Sequence, residues 1–566
     1  MNTLQSVFSS NATSAKKIKI SFPTVFGLFA ILIALVLSVP VLGIVWSLFQ
    51  EGQGNWPHLV DTVLPRYIQN SLLLMIGVGI GVSLFGVGTA WLVVMCRFPG
   101  KRIFEWTLIL PLAVPAYVVA YAYTDILQSS GPIQVFIRNA FDVRFGEYWF
   151  PNVRSMEGAI IVFTATLYPY VYLLTRASFL EQSVCVLEVS RTLGRTPTGA
   201  FRAVALPLAR PAIIVGVSLA LMETLADFGT VFHFGIQTFT TGIYRTWASM
   251  GDRVAAAQLS AVLFTFVFAL ILAERFSRRQ SKYHQTTGRY KQIKEFHLTG
   301  WKRYGAVLFC ALPLTLGFVA PLVMLLYMHF TAGHDLLNPR YISMIQNSVF
   351  LAAVTAALAV LVSLYLAYAA RVEKSRVSFA ANRIAGMGYA IPGTMIAVGI
   401  LLPVAAFDNA LNRFFQETFD IKLGLVLTGS VSALVLAYLV RFMAVSLNTV
   451  ESSLAKVTPS MEGASRTLGH GKISTATRVH APIMAGGLLT AGLIVFVDVM
   501  KELPATLIMR PFNFDTLAIQ AYNLAQDERL TQAATPSLVI VAVGILPLII
   551  LSRAIMRSRP GSTSKE

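Results

Sequence analysis

The chain contains twelve stretches of predominantly apolar residues, each about long enough to cross a lipid bilayer as a helix. The hydrocarbon core of a bilayer is about 30 Å thick, so one helical crossing needs roughly 20 apolar residues. The predicted crossings lie at 24–49, 71–95, 103–125, 157–178, 212–231, 256–273, 304–328, 346–369, 384–406, 424–445, 484–509 and 535–552. The composition, 55% hydrophobic and only 13% charged, excludes a water-soluble enzyme of this length. The sequence therefore predicts an all-α polytopic membrane protein with about twelve transmembrane helices.

The basic residues are concentrated in alternate connections, and this distribution predicts the orientation of the chain. If residues 1–23 are cytoplasmic, 33 of the 45 Lys and Arg residues fall in inward-facing segments and 11 in outward-facing ones. The inward-facing count includes Arg176 and Arg441, which lie at the ends of the predicted crossings 157–178 and 424–445, and Lys501 is counted within a crossing. Short cytoplasmic loops of membrane proteins carry such an excess, so both termini are expected in the cytoplasm. The net charge of +18 then indicates topology and attraction to anionic lipid, and we expect no binding to nucleic acid.

The second half of the chain repeats the first at an offset of 275 to 277 residues. The matches are Gln69-Asn70-Ser71 with Gln346-Asn347-Ser348, Pro115 with Pro392, and Ser190-Arg191-Thr192-Leu193-Gly194 with Ser465-Arg466-Thr467-Leu468-Gly469. Because each half holds an even number of crossings, both have the same orientation. We therefore expect two parallel six-helix repeats about a pseudo-two-fold axis along the membrane normal, with a pathway between them.

The repeat predicts how the chain is divided. A cytoplasmic segment at 1–23 is followed by a first half at 24–273, a linker at 274–303, a second half at 304–552 and a cytoplasmic tail at 553–566. The linker is basic and has no apolar period, so we expect a solvated strap on anionic headgroups.

One loop of each half, between the fourth and fifth crossings, predicts a contact with another protein. In the second copy, Glu462 to Gly469 is long enough for about two helical turns outside the membrane. Gly463 and Ala464 are small and let a partner's surface approach closely. Gly469 is expected to end the helix, since glycine adopts positive φ without a Cβ clash. Pro482 follows thirteen residues later, as Pro207 follows Gly194 in the first copy.

This loop resembles the EAA loop of the permease subunits of binding-protein-dependent ABC importers. The resemblance implies the ABC type I importer permease fold, a location in the bacterial inner membrane and a helix that docks in a cleft of a nucleotide-binding subunit. The coupling residues it implies are Glu188, Arg191, Gly194 and Pro207 in the first copy, and Glu462, Gly463, Ala464, Arg466, Gly469 and Pro482 in the second.

The first copy departs from the family pattern. Leu187, Glu188 and Val189 align with Glu462-Gly463-Ala464, so the acid is displaced by one residue and the small positions are larger. We therefore expect the first loop to contact its partner less closely than the second.

The chain has no ATP-binding loop of its own. A Walker A loop requires Gly, four residues and Gly-Lys-Ser/Thr, whereas here Arg466 occupies the first Gly position before Gly471-Lys472, and Ile473 follows the lysine. The chain is thus expected to be a transport subunit and not an enzyme, and to bind no cofactor. ATP and Mg²⁺ would be held by two separate ATP-binding subunits.

Four acidic residues in the predicted crossings are candidates for a transport pathway. Glu223 and Asp227 lie in the fifth crossing, and Asp498 and Glu502 lie in the eleventh at an offset of 275. The i, i+4 spacing predicts one helix face for each pair, and hard cations prefer such oxygen ligands. The alternative is that these acids lie at the outer ends of helices in contact with water. Lys501 also weakens a purely cationic lining, so no metal ligand is assigned.

The run METLADFGTVFHFG and the following QTFTTGIYRTW resemble the permeases of ferric-iron importers, which also fuse two six-helix halves. The resemblance implies uptake of Fe³⁺ delivered by a periplasmic binding protein. Permeases for thiamine, phosphonate, polyamine or sulfate share the EAA loop and remain alternatives. An ion-coupled secondary transporter is an alternative from another class, but it would have no use for the two loops.

The orientation can be tested by cysteine labelling. After replacement of the three native cysteines, a single cysteine beside Gly194 or Gly469 is expected to resist a membrane-impermeant maleimide added to intact cells. Both loops are predicted to be cytoplasmic. A cysteine in the outward connection between the third and fourth crossings should react and serves as the control. Labelling beside either glycine from outside would overturn the predicted topology.

Overall fold

The computed structural model describes residues 25–52, 54–181, 199, 201–279, 296–332, 338–373 and 375–557. In the first half the α-helices are α1 (Val25–Ser47), α2 (Asn55–Thr62), α3 (Leu64–Met95), α4 (Lys101–Thr107), α5 (Ala116–Leu127), α6 (Pro132–Phe141), α7 (Met156–Glu181), α8 (Leu206–Ala226), α9 (Gly229–His233), α10 (Phe239–Ala248) and α11 (Arg253–Arg279). A 3₁₀ turn lies at Leu110–Ala113 and a π-helical turn at Phe201–Ala205.

The second half follows the same order. Its helices are α12 (Trp301–Leu314), α13 (Ala320–Ala332), α14 (Pro339–Glu373), α15 (Arg376–Ala385), α16 (Gly393–Phe419), α17 (Val431–Leu454), α18 (Pro459–Thr467), α19 (Lys472–Thr475), α20 (Ala481–Met500), α21 (Pro504–Met509), α22 (Leu517–Gln526) and α23 (Leu530–Arg557). π-helical turns lie at Thr315–Val319 and Ala476–His480, and a 3₁₀ turn at Gly388–Ala390.

The number of crossings agrees with the prediction from the sequence. Within the described residues, eleven helices are long and apolar enough to span a bilayer, and a bent pair of helices makes a twelfth. The all-α polytopic class and the two six-helix repeats are thus confirmed. The repeat extends to single hydrogen bonds: the Asn70 amide donates to the Gln237 carbonyl (2.8 Å), and the Asn347 amide donates to the Asp515 carbonyl (3.0 Å).

The third crossing of the first half differs from the prediction. The expected continuous helix over 103–125 is wrong, because the helices before and after Val114-Pro115 meet at 90°. Proline has no N–H to donate and forces the residue before it out of the helical region, and Val114 is accordingly extended.

The equivalent crossing of the second half is also shifted. Pro392 produces the same break, with Ile391 extended, so α16 begins at Gly393 instead of within a helix starting at 384. The matched prolines Pro115 and Pro392 carried this signal in the sequence.

The linker begins later and ends earlier than the apolar pattern suggested, since α12 already starts at Trp301. Helix α11 continues past the predicted boundary at 273 as far as Arg279, since charged helix-forming residues can extend a crossing into water. After residues that lie outside the described part, the strand β2 (Phe296–His297) pairs in parallel with β1 (Cys96–Arg97) at the end of α3. The C-terminal part of the linker is thereby hydrogen-bonded to the first half.

The first crossing of each half packs against the other half. Helix α1 lies on α15 and α16 of the second half, as well as on α11 of its own. Helices α12 and α13 lie against α3, α5 and α7 of the first half and against α23. Within each half, three crossings form the core: α3 with α7 and α8, and α14 with α17 and α20. Because the first crossing of each half packs on the other half, the two halves are joined more extensively than by contact at a single face.

The contact of α1 with α16 depends on two glycines. A Cβ atom on Gly43 would lie 2.2 Å from the Gly399 carbonyl oxygen, and one on Gly399 would lie 2.3 Å from the Pro40 carbonyl oxygen. Any side chain at either position would force the helices apart. Membrane helices commonly use small residues in this way, because packing and not hydrophobicity drives their association.

We expect Gly43→Ala to destabilise the association of the halves. The added Cβ overlaps a backbone oxygen, and such overpacking typically costs about 1–3 kcal/mol. The matched control is Gly305→Ala, since a Cβ there meets nothing within 4 Å. Thermal unfolding of the purified protein in detergent should show a lower midpoint for the first variant only. Equal midpoints would contradict the close packing of α1 on α16.

Candidate functional site: a docking helix and a charged cavity

The second predicted docking segment forms a short helix, α18. Pro459 occupies its first turn, where a missing N–H costs nothing. Gly469 follows the helix with φ of +81°, and the His470 N–H donates to the Ser465 carbonyl (3.1 Å). The expected end of the helix at this glycine is confirmed.

One face of α18 is open to a partner. Met461 is 43% exposed and Leu468 is 77% exposed. Gly463, Ala464 and Arg466 are also exposed, and a Cβ on Gly463 would meet nothing within 4 Å. These residues therefore leave an exposed surface with open space above Gly463 that another protein can approach. The coupling role of these residues remains a prediction.

The opposite face of α18 is anchored to the rest of the chain. The buried Ser465 and Thr475 hydroxyls are hydrogen-bonded at 2.8 Å, which fixes α18 on α19. Glu462 also faces inward, and its carboxylate accepts a hydrogen bond from Arg371 of α14 (2.7 Å). Glu462 was predicted to contact a partner protein. In the structure its carboxylate is instead hydrogen-bonded within this chain.

The first docking segment is described only in part. Glu188, Arg191 and Gly194 lie outside the described residues. Pro207 lies in the first turn of α8, and Pro482 occupies the same place in α20. Each follows a π-helical turn, so the entry into the fifth crossing is built alike in both halves.

All four predicted pathway carboxylates line one cavity between the two halves. The cavity has a volume of about 120 Å³, and its wall includes Glu223, Asp227, Asp498 and Glu502. The ends of α8 and α20 bring the two pairs together across the pseudo-two-fold axis. The two acidic pairs, which are 275 residues apart in the sequence, therefore lie close together in the structure.

The expectation that each acidic pair shares one helix face is wrong. Helix α8 ends at Ala226, and the Asp227 carboxylate accepts hydrogen bonds from the N–H groups of Thr230 (2.9 Å) and Val231 (3.3 Å). Asp227 therefore caps the next helix, α9, and lies beyond the helix that carries Glu223.

Glu502 does the same in the second half. Helix α20 ends at Met500, and the Glu502 carboxylate accepts hydrogen bonds from the N–H groups of Ala505 (3.0 Å) and Thr506 (3.1 Å) at the start of α21. The first N–H groups of a helix have no partner within the helix, which is the physical reason for both caps. An acid three residues before Thr230 and a proline at 504 were the sequence signals for these helix starts.

Two cations share the cavity wall with the acids. The Lys501 ammonium lies 2.9 Å from the Asp498 carboxylate, and an Arg441 guanidinium nitrogen lies 3.7 Å from that of Glu502. From the sequence, Arg441 was counted among the cytoplasmic charges, but the structure places it within α17 in the cavity wall. Its position inside an apolar run was the signal that the topology count overlooked.

The cavity is electrostatically asymmetric. The repeat partners of Arg441 and Lys501 are Thr166 and Ala226, which also line it. Among the described lining residues, the first half thus contributes two acids and no cation, and the second half two acids with two cations. Glu223 interacts electrostatically with Lys501 across the cavity. The excess negative charge belongs to the first half.

The cavity does not have the form of a fixed metal centre. Within the described ranges, no group of three or more His, Cys, Asp or Glu side chains is arranged to hold a metal ion. Three of the four carboxylates have structural or ionic partners within the chain: Asp227, Asp498 and Glu502.

Comparisons with known proteins relate the chain to a family of transport proteins. Residues 82–282 match the family of the binding-protein-dependent transport system inner membrane component. The Fe(3+)-transport system permease protein FbpB 2 of Haemophilus influenzae is 26% identical over 532 residues, covering 93% of this chain and 97% of that protein. Residues 82–282 therefore carry the permease domain of this family. The apolar helices agree with the multi-pass inner-membrane architecture of that family, and the two halves of this permease are fused in one polypeptide.

Two further relatives match only about half of the permease or less. The molybdenum transport system permease protein ModB of Escherichia coli is 28% identical over 204 residues, or 35% of this chain and 86% of that protein. The sulfate transport system permease protein CysT of Salmonella typhimurium is 27% identical over 279 residues, or 47% and 98%. These proteins are similar in length to a single half of the permease.

We expect Gly469→Val to unravel the end of α18, whereas Gly471→Val should leave it intact. A residue with a Cβ at positive φ costs about 1–2 kcal/mol, and only Gly469 of these two has such a φ. Hydrogen exchange of the amides of Leu468 and His470 should be roughly tenfold faster in the first variant. Equal exchange in both variants would contradict the helix cap.

Proposed function

We propose that this permease belongs to an ATP-driven importer that takes up ferric iron delivered by a periplasmic binding protein. The observation that carries the proposal is the excess negative charge at the interface of the two halves, where no described lining residue of the first half is a cation beside Glu223 and Asp227. A full-length relative with the same fused architecture, described as an Fe(3+) transport permease, supports it.

We further propose that two separate ATP-binding subunits drive the transport. The exposed face of α18, with Leu468 and Gly463, would dock in a cleft of one subunit, and the loop around Gly194 would dock on the other. ATP and Mg²⁺ would be held by those subunits, since this chain has no Walker A loop. In this arrangement both termini of the permease are cytoplasmic.

Closure of the ATP-binding subunits would bring the two docking segments together and rock the halves against each other. The cavity would then open alternately to the two sides of the membrane. Glu223 would attract a cation entering the cavity, because a carboxylate in a low-dielectric site acts strongly on nearby charge. Because Asp498 is paired with Lys501, the net attraction of the cavity for a cation would be modest. The cation could then be released as well as bound.

A second candidate cargo is an oxyanion such as molybdate or sulfate. The cationic side chains of Arg441 and Lys501 favour it, since both face the cavity. The similarity of single halves to molybdenum and sulfate permeases is consistent with it. An ion-coupled secondary transporter is the remaining alternative, and it would take up its cargo without ATP.

Two variants, one that removes a negative charge from the cavity and one that removes a positive charge, distinguish ferric iron from an oxyanion as the cargo. Glu223→Gln removes the carboxylate of the first half, and loss of one charged contact should lower subsaturating ferric uptake about tenfold. Lys501→Met removes a cation and should leave ferric uptake equal or higher. The measurement is radioactive iron uptake into proteoliposomes that contain the permease, the ATP-binding subunits and the iron-loaded binding protein.

The reverse pattern would contradict the iron proposal. If Lys501→Met abolishes transport of molybdate or sulfate while Glu223→Gln spares it, the cargo is an anion. Uptake that persists without ATP and follows a proton gradient would overturn the importer proposal itself. Co-purification of the ATP-binding subunits with both variants controls for assembly.

A further inference from the structure

Arg371 joins three structural elements at the end of the membrane domain that carries α18. It lies in the last turn of α14, and its Nε donates to the Glu462 carboxylate of α18 (2.7 Å). Its terminal nitrogens donate to the carbonyls of Leu454 (2.6 Å) and Val457 at the end of α17. One guanidinium therefore holds a crossing, the end of a second crossing and the docking helix together.

These contacts are of the strong kind. A guanidinium binds a carboxylate with charge-assisted, directional hydrogen bonds. The last carbonyls of a helix have no partner within the helix and carry partial negative charge, so a cation there is favourable. The Arg371 and Glu462 side chains are only 21% and 23% exposed, which limits screening by water.

A second contact from the same face of α14 reaches the start of the fifth crossing. Tyr368, one turn before Arg371, packs its ring edge-on against His480 at 5.7 Å between centroids. His480 immediately precedes α20 and lies 3.5 Å from the Glu462 carboxylate. Burial lowers the pKa of His480, helped by Arg371 and opposed by Glu462. The charged partner of Glu462 at neutral pH is therefore Arg371.

The arrangement forms a continuous path from the docking helix to the cavity. Glu462 of α18 is held by Arg371 of α14, and the same cluster grips the first residues of α20 through His480. Helix α20 ends at the cavity, where Asp498 binds Lys501. Helix α18 is thus connected to two crossings at once.

The first half replaces this ionic cluster by apolar side chains. At the repeat offsets, Arg371 corresponds to Val94 and Glu462 to Leu187, so both members of the pair have changed together. Tyr368 corresponds to Trp91 and His480 to Ala205. Leu187 lies outside the described residues.

Trp91 belongs to an aromatic cluster in the first half. Its ring lies 4.7 Å from that of Phe201, 5.8 Å from that of Phe179 and 6.2 Å from that of Phe296. At the positions that match Tyr368 and Arg371, the first half therefore has an aromatic and an apolar side chain where the second half has an ionic cluster.

We propose that Arg371 is a positioning residue that, paired with Glu462, transmits the movement of the second docking helix to α14 and α20. The inference rests on the proposed ATP-driven function. It assigns to Glu462 a role inside the permease, while the exposed face of α18 makes the contact with the ATP-binding subunit. The two docking segments then differ in how they couple, and only the second depends on charge.

The experiment compares single variants with the pair found in the first half. Arg371→Val and Glu462→Leu each leave one charged partner without the other, whereas the double variant recreates the Val94 and Leu187 combination. In proteoliposomes with the ATP-binding subunits and iron-loaded binding protein, we expect each single variant to hydrolyse ATP but to transport about tenfold less iron per ATP. The double variant should recover to within about threefold of the unmodified protein.

Two controls separate coupling from folding. Lys456→Met removes an exposed cation near the same junction and should change nothing. Arg371→Lys keeps the charge but loses the fork geometry, so it should fold and still transport less iron per ATP. The proposal is overturned if Arg371→Val and Arg371→Lys keep the normal ratio, or if the double variant is as impaired as the worse single variant.

A second readout does not depend on the cargo. In a background without the native cysteines, a cysteine replacing Thr166 in the cavity wall should change its maleimide reactivity when vanadate traps the nucleotide. Arg371→Val should suppress that change, and the double variant should restore it. If the unmodified protein shows the change but takes up no iron, the proposed cargo fails while the role of Arg371 is still tested. An undiminished change in Arg371→Val would overturn the proposal.

Discussion

Where a helix is interrupted inside a bilayer, its unpaired backbone N–H groups must find hydrogen-bond acceptors within the protein, because the hydrocarbon offers none. The crossings of this permease are interrupted next to the central cavity, and Asp227 and Glu502 satisfy the helix starts that follow the interruptions. This requirement explains why two acids of the predicted pathway are structural caps. It also explains why the cavity forms there, since the interrupted segments of both halves meet at the pseudo-two-fold axis.

The internal repeat is also a record of divergence. The same three crossings pack together in each half, and Asn70 and Asn347 make matching hydrogen bonds to the residue that precedes the N-cap of α10 or α22. The charged positions have not been kept alike: Arg441 and Lys501 replace Thr166 and Ala226 in the cavity, and Arg371 replaces Val94 at the docking junction. Symmetric architecture thus supports an asymmetric passage and, as we propose, asymmetric coupling.

Sequence reasoning succeeded where a local property decides the outcome. The crossing count, the repeat and the end of α18 at Gly469 follow from apolar length, internal similarity and the φ freedom of glycine. It failed where a partner in the next element decides, as when Asp227 was assigned to the helix of Glu223. Arg441 was missed because a charge count assigns loops by position, and a single arginine in an apolar run does not reveal what it faces.

The sequence by itself determined an all-helical permease with two like-oriented halves, because the length of each apolar stretch and the offset of the repeat are read along the chain. Only the tertiary structure decided that α1 packs on α16 through Gly43, and that Arg371 holds Glu462. Gly43 and its contact Gly399 are 356 positions apart in the sequence, and Arg371 and Glu462 are 91 positions apart. Their energies depend on geometry across helices, which no local pattern of residues specifies.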